Sequence, residues 1–149
     1  MAVLPIAAYD PSRVIQNLGD LVPQAYGPDS RISITKTVPP FSVMQGQDGH
    51  IIRVKTRAFH HLVQFVLMKS DPVCDAIDEL IQKDTDDLTP SGIFKYELTD
   101  NNGKAKATAP YAWFTGKPDL IYTAAGEAYT YDLVLASAIV TAGSMTLLP

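Results

Sequence analysis

The side chains that could carry chemistry are few, and their spacing argues against most of the reactions they could serve. His60 and His61 are adjacent. Neighbours in a strand point to opposite faces, so the two imidazoles cannot share a metal ion without distortion. One is expected at the surface and the other packed. Cys74 stands at no zinc-site spacing from either. Asp84, Asp86 and Asp87 could attract calcium, but the Gly and Glu of an EF-hand loop do not follow at the required positions. They read as a solvated helix exit. Asp100-Asn101-Asn102-Gly103 has the composition of a calcium-loop fragment and reads better as a turn. There is no Gly-rich phosphate loop, nucleophile elbow or HExxH motif. A carboxylate pair for acid–base work can assemble in space from distant positions, and nothing in the sequence points to one. No catalytic residue, cofactor-binding residue or metal ligand is assigned.

Two features suit contact better than chemistry. Arg53, Lys55 and Arg57 alternate with Ile52, Val54 and Thr56 along one predicted strand, so the three cations share a face. Like charges at this spacing repel one another and favour an acidic partner. No aromatic stacking pattern accompanies them, which disfavours DNA binding. A solvated face and an ion-pairing face are both open. The second feature is the connection from Val38 to Gly49, long for a plain hairpin. It carries Val38, Phe41, Val43 and Met44, too apolar for a purely solvated loop. Pro39-Pro40 stiffens it, and Gly46 and Gly49 permit the return. Either Phe41 and Met44 fold back on their own subunit, or the loop reaches a neighbouring subunit and buries them there.

The elements that must position these residues are mostly strands. Gly and Pro punctuate short runs of alternating apolar residues. Residues 14–18 and 21–25 predict an opening pair around Gly19-Asp20, followed by a turn at Tyr26-Gly27-Pro28-Asp29. Strands are predicted at 31–37, 50–57, 60–68, 93–99, 104–109 and 127–136, with 111–115 extending or restarting the 104–109 strand. Asn102-Gly103 predicts a hairpin turn, because both residues tolerate positive φ. In the last strand Glu127, Tyr129, Tyr131, Leu133 and Leu135 share a core-directed face. Ala128, Thr130, Asp132, Val134 and Ala136 share a face small enough for a polymer contact or a channel lining. One helix is predicted over 71–82, with Asp71 as N-cap and Pro72 in the first turn. Val73, Ala76, Ile77, Leu80 and Ile81 form its apolar face, and 84–87 its polar exit.

The 149 residues suffice for one domain with a real core. With 46% hydrophobic and 19% charged residues, the balance is that of a globular chain. The formal net charge of -4 argues against gripping nucleic acid. A single cysteine excludes an internal disulfide framework. The apolar start Met1–Ile6 lacks the basic region of a signal peptide. No apolar run reaches the length of a membrane span, so a soluble protein without a membrane partner is expected.

The order of these features resembles a family of phage tail tube proteins, found mainly in contractile-tailed phages. The resemblance runs over roughly 9–143. It rests on Tyr9-Asp10-Pro11-Ser12-Arg13-Val14, Arg31-Ile32-Ser33-Ile34, Gly46-Gln47-Asp48-Gly49 before Ile52-Arg53-Val54, and the apolar strand leading to a short Asp-rich helix. It continues with Gly92-Ile93-Phe94, Leu98-Thr99-Asp100 with Gly103, and Ala112-Trp113-Phe114 before Lys117-Pro118-Asp119. Val38-Pro39-Pro40 departs from the family, which tends to be polar there. A Gly that often follows the 50–57 strand in the family is absent.

The resemblance implies a β-sandwich or small barrel with one flanking helix. It implies a non-enzymatic virion protein, assembled in the host cytoplasm, whose hexameric rings stack into a tail tube. Sheath, baseplate and tail-terminator proteins would be its partners, and DNA would pass through the lumen without sequence-specific binding. The channel lining is expected from 31–37 and 50–57, with 60–68 and 127–136 as further candidates. A baseplate tube-initiator or tail-completion ring, a small β-barrel ligand-binding module and a small hydrolase are the other classes considered.

Overall fold

The structure is a computed structural model that describes residues 6–24, 26, 32–57, 60–122 and 128–147. Nine strands and one α-helix lie among the described residues. Seven strands form one antiparallel sheet: β1 (Val14–Leu18), β2 (Ser33–Lys36), β5 (His61–Met68), β6 (Phe94–Asp100), β7 (Lys106–Phe114), β8 (Ala128–Ala136) and β9 (Ile139–Thr141). Their order is β1-β6-β7-β8-β5-β2, with β9 pairing β7. The remaining two strands, β3 (Phe41–Gln45) and β4 (Ile51–Lys55), form a separate hairpin. The fold is mostly β with one helix, as expected, and the sheet is not closed into a barrel.

Alternation along β5 and β8 sets the core. His61, Val63, Phe65 and Leu67 of β5 are buried, as are Tyr131, Leu133 and Leu135 of β8. The register pairs Val63 with Leu133 and Phe65 with Tyr131, so these side chains stand together on one face. Phe65 stacks on Tyr131 with ring centroids 5.4 Å apart. Leu18 of β1 belongs to the same buried cluster as the β5 residues, although four strand positions separate them, so the sheet curls around one core. The 21–26 segment spans the gap: Leu21 bridges Leu18, and Tyr26 bridges Leu67. It is not the predicted second strand, and Pro23 has no N–H to contribute to a ladder. Ala25, the turn at Gly27-Pro28-Asp29, Arg31 and Glu127 lie outside the described residues.

The helix α1 (Val73–Asp86) covers this core with Cys74, Ile77 and Ile81 buried and Val73 and Leu80 packed at the edge. The helix starts one residue later than expected, with Pro72 at the cap position, and Asp71 just before it holds the entry: its carboxylate accepts the Val73 N–H at 3.0 Å and the Gln24 N–H at 3.0 Å. The helix runs a full turn beyond the predicted end, so Asp84, Thr85 and Asp86 are helical. Asp84 accepts the Gly92 N–H at 3.1 Å, and Gln82 donates to Asp86, contacts that hold the last turn.

β7 is continuous through Pro110, where one strand followed by an extension or restart was expected. Pairing with β6 shifts register between Phe94 and Tyr96. On its other side β7 pairs β8 at Tyr111–Phe114 and β9 at Lys106–Thr108. Pro110 therefore sits where the partner strand is interrupted around Ser137, which holds φ 55.

Candidate assembly surface

The 38–49 segment is not a loop. Phe41–Gln45 is a strand, and it pairs with Ile51–Lys55 across the turn Gly46-Gln47-Asp48-Gly49-His50. Gly46 and His50 close the turn with a 2.8 Å backbone hydrogen bond. Gly49 takes φ 89, which needs glycine, and the Asp48 carboxylate pairs with the His50 ring. The two sequence features thus become one object: the apolar segment and the basic stripe are the two strands of a single hairpin.

No other described strand pairs with this hairpin. Phe41, Val43, Met44, Ile51 and Ile52 are 50–71% exposed. Five large apolar side chains on one two-stranded ribbon are unusual for a surface left to water, and such ribbons are marginal alone. The alternative in which Phe41 and Met44 fold back on their own subunit does not describe this structure, where both are exposed.

The register sorts the hairpin into two faces. Phe41 stands opposite Lys55, Val43 opposite Arg53, and Gln45 opposite Ile51. Ser42, Met44, Ile52 and Val54 occupy the other face. Phe41 and Met44 therefore point in opposite directions. The Arg53 guanidinium lies 4.2 Å from the centroid of the Phe41 ring, a cation–π contact that fixes both. Arg57 lies just past the end of β4 and is exposed. Val38 precedes the hairpin and is exposed as well.

The main sheet offers a second surface. On its outer side Thr35, Leu62, Val134 and Trp113 line up across four strands, and Ser33, Gln64 and Asp132 form the adjacent row. The small face anticipated for 127–136 is therefore mixed here, with polar Ser33, Thr35, Gln64 and Asp132 beside apolar Leu62, Val134 and Trp113. A groove of about 470 Å³ beside it is lined largely by polar residues, among them Gln64, Thr115, Lys117, Asp119, Thr130 and Asp132. Arg53, Lys55 and Arg57 are not part of this sheet, so strand 50–57 separates from the other lining candidates.

The titratable groups suit structure better than catalysis. His60 is exposed and His61 buried, as opposite strand faces require. Burial lowers the His61 pKa, and Lys36 and His60 lower it further; its Nδ1 has no hydrogen-bond partner. Burial raises the Cys74 thiol above its ordinary value, which disfavours the reactive thiolate. Tyr26 is pushed up to about 12, first by burial and then by Asp71. Among the described residues no group of three or more His, Cys, Asp and Glu could hold a metal ion, and no helix is long and apolar enough to cross a membrane.

Sequence reasoning missed Asn102. The hairpin turn forms where expected, yet neither Asn102 nor Gly103 takes positive φ. Asn102 is buried instead. Its side chain accepts the Asp10 N–H and donates to the Asp10 carbonyl and the Asp100 carboxylate, each at 2.9 Å. Its carbonyl accepts the Thr146 N–H at 2.8 Å. Both ends of the described chain are thus clipped to one turn. A Cβ on Gly103 would lie 2.4 Å from the Ser144 carbonyl oxygen, so glycine is needed for close approach and not for its φ.

No protein-family model and no curated protein matches the chain. Solved structures do. The tube-terminating cap of the anti-feeding prophage superposes with a TM-score of 0.59 at 14% identity, covering 95% of this chain and 94% of that one. The sheath/tube terminator of an extracellular contractile injection system, PVC, in the extended state gives 0.59 at 11% identity, covering 92% and 99%. A chain of the PVC sheath-tube complex in the extended state gives 0.53 at 9% identity, covering 95% and 93%. At these identities the likeness is one of fold, and it extends over nearly the full length of each chain.

Proposed function

We propose that this chain is a non-enzymatic, ring-forming structural protein of a contractile-tail-type particle, positioned at the end of its tube as a terminating or capping ring. The observation that carries the reading is the β3–β4 hairpin, with large apolar side chains exposed on both faces. Burying each such side chain is worth about 1.5–3 kcal/mol, a gain available to the hairpin only through assembly. The open sheet adds the edge strands β1 and β2, which ring closure would pair or cover. Two solved structures of the same fold are a tube-terminating cap and a sheath/tube terminator.

The second reading is a tube subunit, with hexameric rings stacked along a tail and DNA passing through the lumen. The likeness to a chain of a sheath-tube complex favours it. Here the outer face would line the channel through Ser33, Gln64, Thr130 and Asp132, positions that are polar and not basic. Sheath and baseplate proteins are partners under both readings, and the site is a virion-like particle.

Negative-stain microscopy and native mass spectrometry of the purified chain test this. Rings of defined subunit number that do not extend support the terminating ring. Long tubes support the second reading. A chain that stays monomeric at high concentration refutes both.

A further inference from the structure

Building on the reading of the chain as a ring-forming protein, we propose that the β3–β4 hairpin of one copy docks in the groove between α1 and the β1 end of the next copy. This groove, about 400 Å³, is lined by Leu18, Leu21, Ala76, Leu80 and Phe94, with Asp20, Glu79 and Lys83 at its margin. Leu21, Leu80 and Phe94 are only partly buried, packed on the core from below and uncovered above. An apolar floor with a polar rim is the usual form of a protein contact site.

Charge selects the occupant. At the groove itself the acids are Asp20 and Glu79, against the one cation Lys83, while Asp75 and Asp78 line a separate groove on the other side of α1. Lys117 adds a partial counter-charge, 3.5 Å from Asp78. The strands of the hairpin carry Arg53 and Lys55 and no acid. The face holding Phe41, Val43, Ile51, Arg53 and Lys55 is both apolar and cationic. The opposite face, Ser42, Met44, Ile52 and Val54, has no charge. The cationic face therefore matches the groove twice, apolar side chains to its floor and cations toward Glu79 and Asp20. Exposed ion pairs contribute little affinity by themselves. They set register and exclude wrong partners, while the aliphatic and aromatic contacts hold the copies together.

The contact joins two different patches, so it is head-to-tail. Such contacts close into rings or propagate as filaments, according to the rotation between copies. A single contact type of this kind supplies what a ring protein needs.

The test uses the full chain. A Val43→Cys variant is mixed with an Ala76→Cys variant under mild oxidation, both carrying Cys74→Ser so that the buried native thiol cannot compete. A mixed disulfide should form at several times the yield of either variant alone. In parallel, Arg53→Glu with Lys55→Glu should weaken association about tenfold or more at low salt, and Asp20→Lys with Glu79→Lys should do the same. Combining all four should restore it. Val43→Cys linking chiefly to itself, a double variant closing its own disulfide as a monomer, or failure of the four-fold swap to restore association would overturn the proposal. Rings that persist while the mixed disulfide fails would sink this docking and leave the ring-forming reading standing. A wild-type chain that never associates would sink both.

Discussion

Replacing Asn102 by Ala tests whether one buried side chain holds both ends of the described chain. Three side-chain hydrogen bonds of 2.9 Å are lost, two to Asp10 and one to Asp100. At about 0.5–1.5 kcal/mol each, the gross loss is roughly 1.5–4.5 kcal/mol. Asp10 is exposed, so water replaces part of it, and about 1.5–2.5 kcal/mol is expected. For a chain of this length that lowers Tm by about 3–10 °C, readable by circular dichroism. Amide exchange at Asp10 should accelerate, while Phe65 and Leu133 in the core remain protected. Asn102→Asp keeps an acceptor for the Asp10 N–H but turns the donor into an oxygen facing the Asp100 carboxylate and the Asp10 carbonyl. It should therefore be less stable than Asn102→Ala at pH 7. An alanine variant within about 0.5 kcal/mol of wild type, or an aspartate variant more stable than alanine at neutral pH, would refute the clip.

Ile77→Ala, at a fully buried helix position, should cost about 2–5 kcal/mol in urea denaturation, and Leu80→Ala, half-buried at the groove, clearly less. His61 is held neutral by burial, then by Lys36 and His60. Because its folded pKa lies below the unfolded value near 6.5, stability is complete above that pH and falls as pH drops through it. His61→Leu should flatten the decline in thermal melts between about pH 7 and 5. Phe41→Ser with Met44→Ser strips one apolar residue from each hairpin face; folding by circular dichroism should be unchanged, and ring formation in microscopy should be lost. Gly103→Ala forces a Cβ against Ser144, and the Thr146 amide should then exchange faster than in wild type.

Half-buried elements were legible in the sequence and fully exposed ones were not. β5 and β8 announce themselves because one face meets the core and the other does not, and that asymmetry writes a period of two. The helix is legible for the same reason, through Val73, Ile77, Leu80 and Ile81. Its last turn was hidden because Asp84 and Asp86 look like a solvated exit, while contacts to Gly92 and Gln82 keep them helical. The apolar character of 38–49 and the basic stripe of 53–57 could each be read locally. That they form one hairpin could not, since both faces of β3 are exposed and no alternation marks it. Pairing alone decides that Arg53 lies over Phe41 and that Met44 turns the other way. Asn102 was read as a turn residue from its neighbour Gly103, a strictly local signal. Its actual partners lie 92 residues away at Asp10 and across the chain at Thr146, and only the curl of the sheet around its core brings those segments to the same turn.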